Sequence, residues 1–403
     1  MKNVSSWGLA GILFSVLTGF VAPAFAEEAA PEPVAMVPAE EGKIASFFKS
    51  IEISGFIDTY YSYNFSKPND QRGSTPNFVR DGGQGDWVDV RAFDRENNSF
   101  TLDNIEISVF KPSTEKDPIG FGFTTNYGEI AQRITFINSD GRVDDDDFTV
   151  SQGFVTYKAP VGKGIDFKFG KFATWIGAEL WESVDNPNWS RSLLYQNAIP
   201  FTNTGLAVSY PVFDWLTTTG YLVNGWDTFV DNNDSKTFGY QFNFKVSENA
   251  NFIVNGSHGA EQDEDVVPGA DNNLRHFWDL IFAIKLLERT SFNLNFDFGT
   301  EAHGRMLATE SGVGKWWGFS GIINQDITDY FGLALRGEYF DDSDGARLGV
   351  ARLDIWEITL TANCKIRENL FIRPEIRYDD ANEDIFNGRD NELTTAISVA
   401  YLF

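Results

Sequence analysis

Residues 51–65 read IEISGFIDTYYSYNF. Ile51, Ile53, Ile57, Tyr61, Tyr63 and Phe65 share one parity, and Glu52, Ser54, Asp58, Ser62 and Asn64 share the other. Side chains of a strand project alternately to its two faces, so this stretch predicts a strand with one oily and one wet face. It is longer than the five or six residues or so usual for a strand in a soluble domain.

The pattern recurs along the chain. Ile119, Phe121, Phe123 and Tyr127 oppose Thr124 and Asn126, and Ile165, Phe167 and Phe169 oppose Asp166 and Lys168. Phe238, Tyr240, Phe242, Phe244 and Val246 oppose Gln241, Asn243 and Lys245. Further oily rows run through Leu274–Leu286, Phe292–Phe298, Phe331–Tyr339, Leu370–Tyr378 and Thr395–Phe403, with Asp297, Arg336, Glu338, Arg373, Glu375 and Arg377 on the opposite parity. A soluble sandwich also alternates. Unbroken rows of Phe, Tyr and Leu with Tyr or Trp near their ends, backed by mid-strand charge and glycine, instead suit hydrocarbon outside and water inside.

The connections point the same way. Short links at 112–118, 159–164, 211–214, 247–250, 287–290, 325–329 and 364–369 alternate with mostly longer ones at 66–98, 129–147, 171–203, 226–235, 260–273, 300–314, 341–350 and 380–391. This alternation predicts an all-β, transmembrane, antiparallel up-and-down β-barrel of about 16 strands, with long external loops and short periplasmic turns. A barrel of that size normally holds an aqueous channel.

Composition bounds the function. Thirty-two Lys+Arg against 58 Asp+Glu give 403 residues a net charge of −26, which excludes a nucleic-acid partner because phosphate binding needs a basic surface. One cysteine, Cys364, in what reads as a short turn, excludes an internal disulfide framework. After a basic Met1-Lys2 and an apolar Trp7–Phe20 stretch, Ala24-Phe25-Ala26 reads as a cleavage site, so 1–26 is an expected export leader. Residues 27–50 are an expected periplasmic lead-in, largely disordered, and 51–403 the barrel.

The long links hold most of the negative charge, as at Asp144–Asp147 and Glu261–Asp265, and read as solvated loop faces rather than metal sites. Asp341-Asp342-Ser343-Asp344-Gly345 starts like a calcium loop but lacks the Glu at the required spacing, so no metal or other cofactor is expected. Charged residues on the wet parity belong in the lumen, since lipid burial is costly. Asp58, Asp166, Lys168, Lys245, Asp297, Arg336, Glu338, Arg373, Glu375 and Arg377 are therefore the candidate pore-lining residues. They can act as a transverse field at a constriction or as paired charges that stiffen the wall.

The sequence resembles outer-membrane porins, and more closely the second β-barrel porin family, often called OmpL-like. The resemblance spans nearly all of 51–403 and rests on IEISGFIDTYYSYNF (51–65), RAFDRENNSFTLDNIEIS (91–108), GKFATWIGAE (170–179), NWSRSLLYQNAIPFTNTG (188–205), LALRGEYFDDSDG (333–345) and FIRPEIRYDD (371–380). It implies a passive channel in the bacterial outer membrane, with outer-membrane lipids and lipopolysaccharide around it and small hydrophilic solutes as cargo. Phe403 after Tyr401 resembles the C-terminal signature read by barrel-assembly machinery, and by analogy the assembly would be a homotrimer. By analogy with general porins, the third long link, 171–203, folds into the lumen. Trp175, Glu179, Trp181, Glu182 and Asp185 would then reach toward the wall of Arg336, Arg373 and Arg377, and Trp175 and Trp181 could instead form an aromatic slide for sugars.

A diffusion channel is the leading reading; a sugar- or oligosaccharide-selective channel and a structural or adhesive barrel are the alternatives. Enzyme activity is not expected, because His258, His276 and His303 have no nearby serine in a recognisable nucleophile motif.

Overall fold

The computed structural model describes residues 47–66, 90–134, 147–264, 267, 269–304, 312–386 and 388–403. The expected leader, most of the lead-in and Asp144–Asp146 lie outside the described residues. Sixteen strands follow one another: β1 (Glu52–Asn64), β2 (Ser99–Lys111), β3 (Ile119–Tyr127), β4 (Phe148–Ala159), β5 (Ile165–Ala173), β6 (Thr202–Phe213), β7 (Leu216–Val223), β8 (Thr237–Ser247), β9 (Ala250–Ala260), β10 (Leu274–Leu287), β11 (Thr290–Glu301), β12 (Gly314–Asp326), β13 (Phe331–Asp342), β14 (Leu353–Arg367), β15 (Leu370–Ala381) and β16 (Asn391–Leu402). Each pairs antiparallel with its sequence neighbours, and β1 pairs with β16 from Phe56↔Leu402 to Asn64↔Thr394, closing the barrel. Closure leaves no strand edge for lipid to solvate. Among the described residues no helix is long and apolar enough to cross a membrane.

The alternation read from the sequence is the alternation of faces. Ile57, Phe123, Phe169, Leu280, Phe296, Leu335, Ile376 and Val399 are exposed on the outside, while Asp58, Thr124, Asp279, Asp297, Arg336, Arg377 and Ser398 are buried inside. Aromatic rings band the outer surface near both ends. Trp317 against Tyr339 at 5.4 Å and Trp356 against Tyr378 at 5.5 Å lie toward the long loops. Phe213 stacked on Trp215 at 5.1 Å lies at a short turn. These are the two interfacial girdles that a membrane barrel needs. Cys364 is not in a turn: it pairs in register with Phe331 and Ile372 within β14, because that strand runs on to Arg367.

The long loops are numbered L1 to L8 in chain order, L3 being 174–201. L2 contains a short α-helix, α1 (Glu129–Ile134). Toward the external end, an apolar cluster packs against the inner wall of the barrel. Val90 and Phe93 of L1, Ile130 and Ile134 of α1, Leu193, Leu194, Tyr195 and Ile199 of L3, Trp226 of L4, and Ile385 and Phe386 of L8 join it. Inward-facing Phe172, Tyr221, Phe277, Trp316, Phe340 and Ile355 complete it from the wall. Burying each such side chain stabilises the arrangement by about 1.5–3 kcal/mol. Trp226 meets two guanidinium groups, Arg275 at 4.5 Å and Arg347 at 5.3 Å from its ring centre. These loop residues therefore form a packed core against the inner wall, which narrows the channel expected from the strand number.

Candidate pore constriction

L3 leaves β5 at Ala173 and turns into the lumen at Thr174–Gly177. Thr174 N donates to Phe201 O at 2.9 Å, which closes the neck of the loop. Gly177 adopts φ +90, and a Cβ there would meet Ile199 Cδ1 at 2.5 Å, so this crossing of the two loop arms needs glycine. Farther in, the Asn186 amide accepts from Leu180 N at 3.0 Å and donates to Leu180 O at 2.7 Å. That clamp rounds off the tip, which carries a 3₁₀ turn at Ser183–Asp185, and one wide helical turn at Leu194–Ala198 leads back out.

The wall holds the loop by its peptide groups. Gly177 N donates to Asp279 Oδ2 at 2.9 Å and Ala178 N to Asn295 Oδ1 at 3.1 Å. Trp189 N donates to Glu375 Oε2 at 2.8 Å, and Leu193 N to Glu338 Oε1 at 2.5 Å. In the opposite sense, Arg336 Nη1 donates to Ser190 O at 2.6 Å and Arg377 Nη1 to Arg191 O at 2.8 Å. Arg373 reaches Ser183 O at 2.5 Å and Asn186 O at 2.8 Å. Hydrogen bonds to charged groups each contribute about 1.5–3 kcal/mol net. This many together fix L3 as a rigid shelf.

Arg336 and Arg377 of the wall are paired with carboxylates of the shelf and wall. Arg336 meets Glu357 at 2.7 Å and Glu179 at 3.0 Å, and Arg377 meets Asp379 at 2.7 Å. Asp58 accepts from Ser398 Oγ at 2.7 Å and from the Ser183 hydroxyl. Trp189 packs on Tyr60 with ring centres 4.7 Å apart.

Arg336, Arg377 and Arg373 are only 0%, 1% and 2% exposed. Together with Asp58, Glu179, Glu338 and Glu375 they do not line water. They lie behind the loop and anchor it, because the loop offers them carbonyl and N–H groups that would otherwise be orphaned. The remaining candidates separate. Trp175 does not reach the arginine wall; it stacks on Tyr221 of β7 at 3.9 Å with planes 8° apart. Trp181 is 1% exposed, so neither tryptophan forms a surface for a sugar. Asp297 is buried opposite Asp279 in register and accepts from Asn295 Nδ2 at 3.0 Å. Lys168 sits 4.7 Å from the centre of the Phe154 ring. Asp166 pairs with Lys158 at 2.8 Å near the start of β5. Lys245 pairs with Glu248 at 2.8 Å at the rim, 43% of its side chain exposed, well away from the loop.

Half-buried Glu182 and Asp185 are the acidic groups of L3 that still meet solvent. Burial, and then repulsion from Glu106 of β2 and from Asp185, holds the Glu182 carboxyl well above the usual range. Glu106 also accepts from Asn126 Nδ2 at 2.9 Å. The sequence reading missed Glu106, Glu357, Asp279 and Asn295. Glu106 lies between Ile105 and Ile107 and Glu357 before Ile358, so mid-strand charge on the wet parity was the available signal.

A family model described as "Putative beta-barrel porin-2, OmpL-like" matches residues 50–403. Solved structures with a similar fold include OprB of Pseudomonas putida (10% identity, TM-score 0.57, 90% of this chain and 97% of that one). Another is the outer membrane channel DcaP of Acinetobacter baumannii (10% identity, TM-score 0.54, 88% and 97%). A third is OmpT of Vibrio cholerae in its trimer form (11% identity, TM-score 0.54, 88% and 99%). No curated protein sequence matches the chain.

Proposed function

The chain belongs to the OmpL-like beta-barrel porin-2 family and is a channel of the bacterial outer membrane, and we propose that it passes small hydrophilic solutes passively with a preference for cations. The observation that carries the preference is the group of three acidic side chains, Glu106 on the wall and Glu182 and Asp185 on L3, which outnumber the two arginines that act on them, Arg191 and Arg373, both of which donate to loop carbonyls. A ring of carboxylates selects cations because it lowers the potential a cation meets and raises that met by an anion. The acidic external loops add to this by concentrating cations at the mouth.

A sugar-selective channel is less well supported, because Trp175 and Trp181 are packed away rather than presented. Under the same reading the protein acts by passage and not by turnover, residues 1–26 are an export leader that is removed, lipopolysaccharide surrounds the mature barrel, and Phe403 addresses it to the assembly machinery. The trimer form of the V. cholerae relative supports a homotrimer here.

The experiment is a planar-bilayer recording in a salt gradient. The wild type is expected to show a reversal potential of the cation-preferring sign. Glu182→Gln with Asp185→Asn should move it toward that of an unselective pore. A reversal potential unchanged by the pair of substitutions would remove these residues from the solute path.

A further inference from the structure

Two of the chain's three histidines meet on the outer surface of the barrel. His258 of β9 and His276 of β10 are directly opposite in register, and their Nδ1 atoms lie 3.1 Å apart. Both are half-buried and share the outward parity of Trp278. They stand one outward-facing step beyond Trp278 and Gly256, which oppose each other, and so on the external side of the aromatic girdle. Three ring contacts hold the imidazoles in place: His258 to Tyr240 at 5.8 Å, His258 to Trp278 at 5.3 Å and His276 to Trp278 at 6.2 Å.

We propose that this histidine pair is a surface binding site for one divalent transition-metal ion of the copper, nickel or zinc type. Imidazole is the preferred side-chain ligand for these ions. Two metal–nitrogen bonds of about 2.0–2.1 Å, set at roughly 90–110°, separate their nitrogens by about 2.8–3.4 Å. The two Nδ1 atoms are already at that spacing because the strand register sets the histidines opposite each other, so binding asks only that the two rings turn about their side-chain bonds to face a common ion. In the metal-free pair one Nδ1–H donates to the other Nδ1. Binding moves that hydrogen to Nε2 of the same ring and turns both rings until their Nδ1 lone pairs converge on the ion, and no net proton is released from the neutral pair. Among the described residues no cluster of three or more histidine, cysteine or carboxylate ligands is placed to hold a metal, so water completes the coordination. L5, which joins the two strands, carries Glu261, Asp263, Glu264 and Asp271, whose field draws dications toward the pair. The site lies on the outer wall and is independent of the constriction.

The test is pulsed electron paramagnetic resonance on the full chain folded in detergent with one equivalent of Cu²⁺, which stands highest in the stability order for such ligands. The wild type should show modulation from two equatorial imidazoles. His258→Gln and His276→Gln should each lose the two-imidazole pattern, and His303→Gln should keep it. Folding of each variant is checked by its heat-dependent shift on a gel, and the wild-type count stands by itself if a variant fails to fold. Fewer than two imidazoles in the wild type, or a two-imidazole pattern that persists in both single variants, would overturn the site and leave the pair as a hydrogen-bonded part of the girdle.

Discussion

At the scale of the residue, Arg336 shows how this protein uses charge. Its guanidinium is fully buried, joins Glu357 and Glu179, and donates to a carbonyl of the inserted loop. Removing one member of such a group leaves the others buried without compensation, at a cost of about 3–5 kcal/mol. Arg336→Met should therefore lower the urea midpoint of the folded protein and make L3 cleavable by protease inside an otherwise intact barrel. An unchanged midpoint together with a resistant loop would show that Arg336 does not hold it. The sequence made Arg336, Arg373 and Arg377 legible as inward charges, because parity fixes the face. It did not tell anchor from pore lining. That distinction depends on which side of L3 a residue lies, and depth is set by strand tilt and stagger, which no single strand records.

At the scale of the element, the external loops are tied to one another as well as to the wall. Glu261 of L5 accepts from Trp226 N of L4 at 2.7 Å and from the Thr237 hydroxyl at 2.6 Å. Burial pushes its carboxyl up to about 7, against the opposing pull of Arg275. Asp227, which caps Phe201 N at 2.6 Å and Thr202 N at 2.9 Å, is pushed up by burial to about 6. An acid with a raised folded-state pKa binds more protons folded than unfolded in the intervening range. Its contribution to stability is therefore full below the unfolded value of about 4.3 and is lost as pH rises through about 7. Between pH 5 and pH 8 the melting temperature of the wild type should fall relative to that of Glu261→Gln. Parallel temperature profiles for the two proteins would contradict this. The strands themselves were legible because their period is strict. The loop core was less so, although its wall half left a trace: Phe172, Tyr221, Phe277, Trp316, Phe340 and Ile355 are apolar residues on the wet parity toward the external strand ends. Such interruptions of the alternation mark where a loop packs against the inner wall. The loop half left no comparable trace, since irregular backbone has no period to read.

At the scale of the whole molecule, the defining event is the meeting of the first strand with the last. Gly55 and Phe403 exchange both backbone hydrogen bonds at 2.9 Å. An unbroken register runs from there to Ser62↔Ala396, an odd number of steps away, so that pair is of the non-hydrogen-bonded kind. Its Cα atoms should stand about 4.5 Å apart, within the range a disulfide spans. With Cys364→Ser in the background, Ser62→Cys and Ala396→Cys should cross-link on oxidation and keep the boiled protein in a compact, fast-migrating form on a denaturing gel. Reduction should abolish the effect, and absence of any cross-link would contradict the closure. This pairing was foreseeable only as a requirement, from an even strand number and the need to remove edges. Its register depends on where every intervening strand starts.

The grip on L3 has a consequence for how such proteins diversify. Asp279, Glu338 and Glu375 hold amide hydrogens, which every residue other than proline supplies whatever its side chain. If Glu182 and Asp185 line the path as proposed, exchanging them for other residues changes what a passing molecule meets without disturbing the moorings. One lineage could in this way retune its diet of nutrients many times over while inheriting the same scaffold.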